Sequence, residues 1–474
     1  MKPSIPQGTR DFSPRDVRRR QYILNTIKSV FELYCYQPLE TPSMENLSTL
    51  MGKYGDEGDR LIFKILNNGL NDPKNSEKAK TAFENVLTGK NDTNLTERAL
   101  RYDLTIPFAR YVVMNQNELA FPFKRYQMQP VWRADRPQHG RYREFWQCDA
   151  DVVGSTSLIN EAELLGIYRA AFHKLQVPGI SVKINSRKVL AGLAEYCNAA
   201  DKLIDITTAI DKLDKIGRNG VVTELRQKGL SDNQIQQLEY LLFNIQNEVV
   251  DSYVDFVKQP TLSKLDRMAE VFKSKSIDVG VQGIEELKNT LAYHAKVEDE
   301  NWQSKIVVDF TLARGLNYYT GIIVEVSTDA VKMGSIGGGG RYDDLTGLFG
   351  LKNMSGVGIS FGIDRIYDVM ESLGLFPAEL QSSTKIIFVN IEPAAEDTIF
   401  QYLKTLRNAG IAAEYYADKG KFDKQMKYAD KRSIPFVGII GASELEEQVI
   451  NLKNMLTGEQ MKINIDGVVK AIMG

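Results

Sequence analysis

The residues best suited to chemistry lie in one stretch of the chain, VWRADRPQHGRYREFWQCDAD, which runs from 131 to 151. Four arginines fall within it, separated by a proline and a glycine, which predicts two strands joined by a basic loop. Side chains alternate between the two faces of a strand. One face of the returning strand therefore carries Arg141, Arg143, Phe145, Gln147, Asp149 and Asp151.

A polar row of this kind suits a ligand with anionic, planar and hydrogen-bonding parts. Guanidinium groups bind carboxylate and phosphate oxygens through paired hydrogen bonds, and an aromatic ring lies well against a planar group. A nucleotide together with a small polar molecule would use all of these side chains. The same alternation is also typical of the solvated face of an antiparallel sheet, so the pattern alone leaves both interpretations open.

Composition is that of an ordinary globular protein without a strong net charge. Of 474 residues, 43% are hydrophobic and 25% charged, and 59 basic residues nearly balance 61 acidic ones. Nucleic-acid contact would therefore depend on local basic patches. Three separated cysteines and three histidines argue against a disulfide framework or a metal site. Without a secretory signal or an apolar run of about 18 residues, we expect a cytoplasmic protein with no membrane partner.

Hydrophobic periodicity predicts the elements that would position the arginine-rich stretch. We expect a helix from 14 to about 36, a strand at 60–66, a short helix at 77–87 within a polar excursion, and a helix at 158–175. A further strand is expected at 181–185. The first 190 residues should therefore form one domain of mixed helix and strand.

A second acidic position precedes the expected hairpin. In ALRYDLT, alternation places Arg101, Asp103 and Thr105 on one side of a strand that leads into a helix. A carboxylate beside a hydroxyl can hold an ammonium group. Asp and Thr just before a helix are equally typical of an N-terminal cap, so this alternative stays open.

Residues 191–300 differ in character, because apolar residues recur at helical spacing and strands are hard to find. Ser231 and Gln234 form a capping-box pattern before one of the expected helices. Strands return in KIVVDF and GIIVEVS, which we expect to pair with each other. A helical domain is therefore predicted at 191–300, inserted between two parts of a sheet domain at 1–190 and 301–378.

Three polar or glycine-rich segments follow. LARGLNYYT combines Arg314 with a glycine and the phenols Tyr318 and Tyr319. GGGG at 337–340 can let a ligand lie against the backbone, although a flexible turn is the commoner meaning. In SGVGISFGIDR, small residues in a strand precede a helix that carries Arg365 near its start.

From about residue 381, strands and helices alternate, which predicts an α/β domain with a mostly parallel or mixed sheet. A basic helix is expected near 421–431, and Lys421 and Lys424 lie in a segment where lysines outnumber acids. Such a segment is usually a solvated surface, and a nucleic-acid patch is the competing interpretation.

Five motifs in this order resemble those of histidyl-tRNA synthetases, which are class II aminoacyl-tRNA synthetases. PQGTRDFSP resembles the first class motif, FKRYQMQPVWRADRPQHGRYREFWQCDAD the second and GVGISFGIDRI the third. LARGLNYYTG and GGGGRYDDL resemble stretches that distinguish the histidine enzymes. The resemblance covers nearly the whole chain. It implies an α+β fold, with an antiparallel catalytic sheet, a helical insertion and an anticodon-binding α/β domain at 383–474.

The resemblance implies that ATP, with Mg²⁺, activates L-histidine for transfer to tRNA(His), with no tightly bound cofactor and no protein-bound metal. It assigns catalysis to Arg133, Arg314 and Gln147. It assigns ATP binding to Arg133, Arg141, Phe145 and Arg365, histidine binding to Asp103, Thr105, Gln147, Asp151, Tyr318 and Tyr319, and tRNA binding to Arg136, Gln138, Lys421 and Lys424. The family also implies a homodimer formed through the first motif.

Three positions depart from the family pattern. Asp135 stands where the class commonly has Glu, Asn317 where the family has Asp, and Asp344 where it has Gly. Asn317 carries no charge, so it cannot fill a role that needs a carboxylate.

A competing interpretation is a non-catalytic, histidine-sensing paralogue that regulates a partner enzyme. Such paralogues typically lose phosphate-binding arginines and the anticodon-binding domain. This chain keeps Arg133, Arg141, Arg314 and Arg365, together with an α/β tail. These features favour the enzyme.

Overall fold

A computed structural model describes residues 2–244, 264–297, 305–313 and 318–473. The chain divides into two compact units, one made of Met1–Asp11 with Arg20–Leu375 and the other of Phe12–Arg19 with Phe376–Gly474. Within the described ranges, no helix is long and apolar enough to cross a membrane.

A predominantly antiparallel sheet forms the centre of the first unit. The strands of this unit are β1 Gln37–Pro38, β2 Met44–Asn46, β3 Lys64–Ile65, β4 Arg98–Leu100, β5 Phe123–Trp132, β6 Glu144–Val153, β7 Ile180–Ser186, β8 Lys305–Val308, β9 Ile322–Thr328, β10 Gly337–Tyr342 and β11 Gly356–Gly362. Eight of them lie in the order β1-β5-β6-β11-β10-β9-β7-β8, and β2, β4 and β3 form a small separate sheet. Among the described strands of the large sheet, the outer pairs β1·β5 and β7·β8 are parallel and the other neighbouring pairs are antiparallel. This architecture confirms the predicted α+β class.

Helices accompany this sheet, and several of them lie in the described part of the chain between β7 and β8. They are α1 Pro14–Leu33, α2 Leu47–Leu50, α3 Gly55–Arg60, α4 Ser76–Leu87, α5 Thr105–Met114, α6 Ile159–Lys174, α7 Arg187–Tyr196, α8 Leu203–Asp211, α9 Leu213–Gln227, α10 Asp232–Glu239, α11 Lys264–Ser274, α12 Asp278–Ala295 and α13 Ile363–Ser372. The helix predicted at 77–87 is confirmed as α4. The strand predicted at 60–66 is wrong in its first half, where α3 ends, and only its second half forms β3.

The arginine-rich stretch forms the predicted hairpin. β5 and β6 pair continuously from Phe123 opposite Val153 to Trp132 opposite Glu144. The basic loop lies between them, and Gly140 within it has a φ of +70°, a left-handed conformation that favours glycine. The prediction of two strands joined by a basic loop is therefore confirmed.

The four glycines at 337–340 open a strand, so their interpretation as a turn is wrong. β10 lies between β9 and β11. A Cβ atom on Gly339 would lie 2.1 Å from the carbonyl oxygen of Gly358 on β11. Close packing against neighbouring backbone therefore requires glycine there, a non-local demand that the local pattern does not reveal.

One face of the large sheet packs against helices and forms the core. On β6, Cys148, Ala150 and Val152 are fully buried. Phe361 of β11 contacts Phe31 of α1, with ring centroids 5.8 Å apart, and contacts α6 through Tyr168 and Phe172. Because alternate side chains take the opposite face, the polar row of β6 points away from this core.

The described residues between β7 and β8 are helical, as predicted. Ser231 and Gln234 form the expected capping box at the start of α10. The expected pairing of β8 with β9 is wrong, because each pairs with β7, on opposite sides. A 3₁₀ turn at Ala200–Lys202 and a π-helical turn at Tyr240–Asn244 complete the described elements of this region.

The second unit has the predicted alternation of strands and helices. Its main elements are β12 Ile386–Phe388, α14 Glu396–Asn408, β13 Ala413–Tyr415, α15 Phe422–Lys431, β14 Phe436–Ile439, α16 Ala442–Glu447, β15 Ile450–Asn454, β16 Gln460–Ile463 and α17 Ile465–Met473. The sheet order is β13-β12-β14-β15-β16. β12 pairs in parallel with β13 and β14, and the remaining pairs are antiparallel, which confirms a mixed sheet.

Candidate active site

A cavity of about 360 Å³ opens on the polar face of the large sheet. Its walls come from β6, β9, β10 and β11, the loop between β5 and β6, and the first turn of α13. The predicted site residues that line it are Arg133, Arg141, Phe145, Gln147, Tyr319 and Arg365. Three predicted phosphate-binding arginines and the aromatic plate therefore line a single space.

Arg133 and Arg141 differ in how firmly they are held. The Nε of Arg133 donates a hydrogen bond to the carbonyl oxygen of Tyr102 at 3.1 Å. Its guanidinium lies 4.3 Å from the ring centroid of Tyr102 and 5.1 Å from that of Phe145. The side chain of Arg141 is 40% exposed and lies 3.8 Å from Asp135. Arg133 is thus oriented by neighbours of the cavity, whereas Arg141 is free to adjust to a ligand.

Arg365 is the third residue of α13, as the sequence predicted. Its Nε donates to the carbonyl oxygen of Gly140 at 2.7 Å, and its Nη1 donates to that of Ser335 at 2.5 Å. The guanidinium therefore links the basic loop to the segment before β10. The guanidinium lines the large cavity, where a positive charge suits an anionic ligand.

Asp364 also lines the large cavity, and sequence reasoning missed it. It accepts hydrogen bonds from Arg10, from Arg20 at 2.5 Å and from the backbone N–H of Trp146 at 2.9 Å. This buried carboxylate joins β6, the start of α13, α1 and the segment before α1. No local pattern could reveal it, because both arginines lie more than 340 residues away along the chain.

A smaller cavity of about 50 Å³ adjoins the large one. The two share lining residues at Arg133, Gln147, Tyr319 and Ser360. The predicted histidine-binding residues Asp103, Thr105, Gln147, Asp151, Tyr318 and Tyr319 all line the smaller cavity. The site therefore has a cationic part and an acidic part that meet at a common wall.

Asp103 makes the helix-cap contact, one of the two alternatives that its sequence context left open, and it also lines the smaller cavity. Its Oδ1 accepts a hydrogen bond from the backbone N–H of Ile106 at 3.1 Å, as a helix cap does. The phenols of Tyr54 and Tyr318 donate to its two oxygens at 3.0 and 3.3 Å. Burial raises the pKa of Asp103, and these hydrogen bonds oppose the rise. The cap holds the carboxylate in place at the cavity wall.

Asp151 lies at the other end of the smaller cavity with two partners that sequence reasoning missed. Arg125, fully buried, places Nη2 2.8 Å from Oδ2 of Asp151. The hydroxyl of Tyr342 donates to Oδ1 at 2.6 Å. Burial raises the pKa of Asp151, whereas the Arg125 charge and the Tyr342 hydrogen bond lower it. Side-chain alternation along FKRYQMQ was the sequence signal that could have identified Arg125, because Arg125 and Asp151 lie opposite each other on β5 and β6.

Arg101 does not share the cavity face with Asp103, so that expectation is wrong. β4 ends at Leu100, and strand alternation therefore does not continue through the following residues. The fully buried Arg101 side chain instead donates to the carbonyl oxygens of Thr41 at 2.7 Å and Pro130 at 2.9 Å. Its role is to tie backbone segments together.

Arg141 and Arg143 do not belong to the polar row of the strand, because β6 begins only at Glu144. Arg141 still lines the large cavity, whereas the Nε of Arg143 donates to the carbonyl oxygen of Asp135 and this residue lines neither cavity. Of the positions that depart from the family pattern, Asp135 lines the large cavity, whereas Asp344 precedes the 3₁₀ turn Leu345–Phe349 and lines neither cavity.

The predicted tRNA-binding residues lie outside both cavities. Arg136 and Gln138 are exposed in the loop between β5 and β6. Lys421 and Lys424 are exposed in the second unit, at the start of α15. Arg314 and Asn317, which the sequence also singled out, lie outside the described residues.

The chemistry of the described site is that of charge and hydrogen bonding. Across the described ranges, no group of three or more His, Cys, Asp or Glu side chains is arranged to hold a metal ion. The cysteines Cys35, Cys148 and Cys197 are free thiols.

Comparisons with known proteins identify the family of this chain. A family model described as histidyl-tRNA synthetase matches residues 79–366, and one described as anticodon binding domain matches 385–473. The histidine–tRNA ligase of Christiangramia forsetii is 52% identical over 472 residues, covering 99% of each chain. That of Flavobacterium johnsoniae is 50% identical, covering 100% of this chain and 99% of its own.

A solved structure agrees as well. The crystal structure of histidyl-tRNA synthetase from Nostoc sp. PCC 7120 is similar over 100% of this chain and 99% of its own, with a TM-score of 0.80 and 30% identity. The family predicted from the five motifs is thereby confirmed. The chain belongs to the histidyl-tRNA synthetase family of aminoacyl-tRNA ligases.

Proposed function

We propose that the chain activates L-histidine with ATP to histidyl-adenylate and then transfers the histidyl group to the 3′ end of tRNA(His). One observation carries the proposal. An arginine-lined cavity of about 360 Å³ shares a wall with a smaller acidic cavity of about 50 Å³, and Arg133 and Gln147 line both. The two substrates would therefore meet at this wall.

In the activation step, a carboxylate oxygen of histidine attacks the α-phosphorus of ATP. The bond to the β-phosphate oxygen breaks and pyrophosphate leaves, with Mg²⁺ entering and departing as part of the nucleotide substrate. Negative charge builds on the α-phosphate in the transition state, so fixed positive charge and orientation matter more than proton transfer. Arg133 would bridge the histidine carboxylate and the α-phosphate, and Arg314 would approach the phosphate from the other side.

The remaining groups of the large cavity would bind the rest of ATP. Arg141 and Arg365 would hold the β- and γ-phosphates, and Phe145 would stack on the adenine ring. The backbone contacts of Arg365 support this role, since they orient the guanidinium before the nucleotide arrives. The exposed Arg141 would order on binding.

The smaller cavity would hold histidine. Asp103 and Thr105 would receive the α-ammonium group, and Gln147 would lie beside the ammonium and carboxylate. Asp151 and Tyr319 would meet the imidazole nitrogens, with Tyr318 supporting Asp103 through its hydrogen bond. Buried polar groups of this kind reject an amino acid that leaves them unpaired.

In the second step, the terminal hydroxyl of tRNA attacks the carbonyl carbon of the adenylate and AMP leaves. Arg136 and Gln138 are exposed beside the large cavity, which suits contact with the acceptor end. Lys421 and Lys424 would contact the anticodon arm by phosphate neutralisation. We also propose the homodimer expected of the family. No observation favours the non-catalytic paralogue.

ATP–pyrophosphate exchange with each of the twenty amino acids tests this proposal. Exchange should require histidine and should be at background with the others, including proline and threonine, whose synthetases share the general class motifs. Exchange with none of them, or with another amino acid in preference to histidine, would refute the proposal.

A further inference from the structure

Asp149 is an acidic residue of the smaller cavity without a role in the proposed mechanism. It lies on β6 between Gln147 and Asp151, on the same face, and is 3% exposed. The strand register places it opposite Gln127 of β5 and Ser360 of β11. Uncharged side chains therefore flank it on both neighbouring strands.

Hydrogen bonding distinguishes Asp149 from the two other buried carboxylates of this cavity. Asp103 has the phenols of Tyr54 and Tyr318 as donors, and Asp151 has Tyr342 and the Arg125 charge. The Asp149 carboxylate accepts a hydrogen bond from the Ser360 hydroxyl, but its Oδ1 atom is shielded from solvent and has no donor among the residues that the structure describes. A buried acceptor left without a donor costs about 1–3 kcal/mol. A ligand with an N–H group would remove this cost.

The charges around Asp149 show which form of ligand the cavity favours. Burial raises the pKa of Asp149 to about 7, Arg125 opposes the rise, and the charges of Asp151 and Asp103 add to it. Arg101, Tyr168 and Tyr319 also interact with it electrostatically. Arg125 is paired with Asp151, and Arg133 interacts with Asp103. Three carboxylates therefore face two guanidinium groups, and a cationic ligand would balance the remaining acid.

We propose that Asp149 accepts a hydrogen bond from the imidazole of the bound substrate, and that the ring is held as imidazolium. This inference rests on the proposed function. A neutral imidazole has one donor and one acceptor nitrogen, so it cannot donate to carboxylates at both nitrogens. An imidazolium donates from both, so Asp151 can accept from one nitrogen while Asp149, beside Tyr319, accepts from the other. When neutral histidine binds to the form with protonated Asp149, the carboxyl proton transfers to the imidazole ring. No proton is then gained or lost overall.

The test compares histidine with 2-fluorohistidine in ATP–pyrophosphate exchange. The fluorinated ring has nearly the same shape but is far less basic, so it stays neutral. The wild-type chain should use histidine more efficiently, by about 30-fold in kcat/KM, the range of one hydrogen bond to a charged group. Asp149→Asn should lower kcat/KM for histidine by a similar factor and leave that for 2-fluorohistidine within about threefold, because a neutral amide suits a neutral ring.

Asp103→Asn is the matched control, since it should lower kcat/KM for both amino acids alike through the ammonium contact. Equal use of the two amino acids by the wild-type chain would overturn the inference, whether or not Asp149→Asn folds. Equal losses for both in a folded Asp149→Asn variant would overturn it as well. Absence of any histidine-dependent exchange by the wild-type chain would instead refute the proposed function.

Discussion

Charged side chains are buried in the acidic cavity of the first unit and exposed in the lysine segment of the second unit. In the cavity, Asp103, Asp151 and Arg125 are at most 3% exposed, and each has identified partners. Lys421 and Lys424 lie exposed at the start of α15. A buried charge depends on particular partners, whereas exposed charges act additively and are screened by salt. Single substitutions should therefore have large effects in the cavity and small effects on the lysine segment.

The largest expected effect on stability comes from Arg125→Met. It leaves Asp151 buried without its counter-ion, which costs about 3–5 kcal/mol. Thermal unfolding should show a clear loss of melting temperature. In an Asp151→Asn background the same substitution should cost much less, because no uncompensated carboxylate remains. Equal losses in both backgrounds would show that the ion pair is not the cause.

Arg133→Gln should come next, with an effect on catalysis. It removes the positive charge at the wall shared by the two cavities, and pyrophosphate exchange should fall by about 10²–10³-fold. Arg143→Gln is the matched control, since this arginine is in the same loop but lines neither cavity. A loss in the control as large as in Arg133→Gln would remove the basis for a special role of Arg133.

The pH dependence of stability should change in Asp149→Asn. The pKa of Asp149 is raised from 3.8 to about 7 in the folded chain, so the folded state binds more protons than the unfolded state between these values. Its contribution to stability is therefore fully present below pH 4 and is lost as pH rises through 7. The melting temperature of the variant, relative to wild type, should rise by a few degrees from pH 4 to pH 8. A constant difference would contradict the raised pKa.

The smallest expected effects belong to Lys421→Ala and Lys424→Ala. Each should weaken tRNA binding a few-fold and lower the slope of log affinity against log salt by about one, as for one lost phosphate contact. Pyrophosphate exchange should be unchanged. Lys470→Ala, at another exposed lysine of the same unit, should leave the slope intact. Equal slopes in all three variants would argue for a merely solvated surface.

Sequence patterns predicted those parts of the molecule that depend on neighbours along the chain. The hairpin of β5 and β6, Arg365 in the first turn of α13, the capping box at Ser231 and the alternation of the second unit all follow from local spacing. The five motifs, spread along the chain, also predicted the family. At these places, the spacing of residues close together in the sequence was sufficient to predict the structure.

The remainder depends on contacts between distant segments. The partner of Asp151 became evident only with the register of β5 against β6, and Asp364 is held by arginines from the other end of the first unit. The strand at 337–340 exists because Gly339 packs against the backbone of β11. Arg101 was misplaced because alternation was extended beyond the end of β4.

The most direct test of the central claim, that the joined cavities form one site for activating histidine, is single-turnover transfer to tRNA. Purified chain, ATP, Mg²⁺ and radiolabelled histidine should yield histidine esterified to the 3′ end of tRNA(His), with one AMP and one pyrophosphate released for each ester formed. Arg133→Gln should slow formation of the adenylate. Transfer that proceeds equally with another amino acid, or adenylate formation that is unaffected in Arg133→Gln, would contradict the claim.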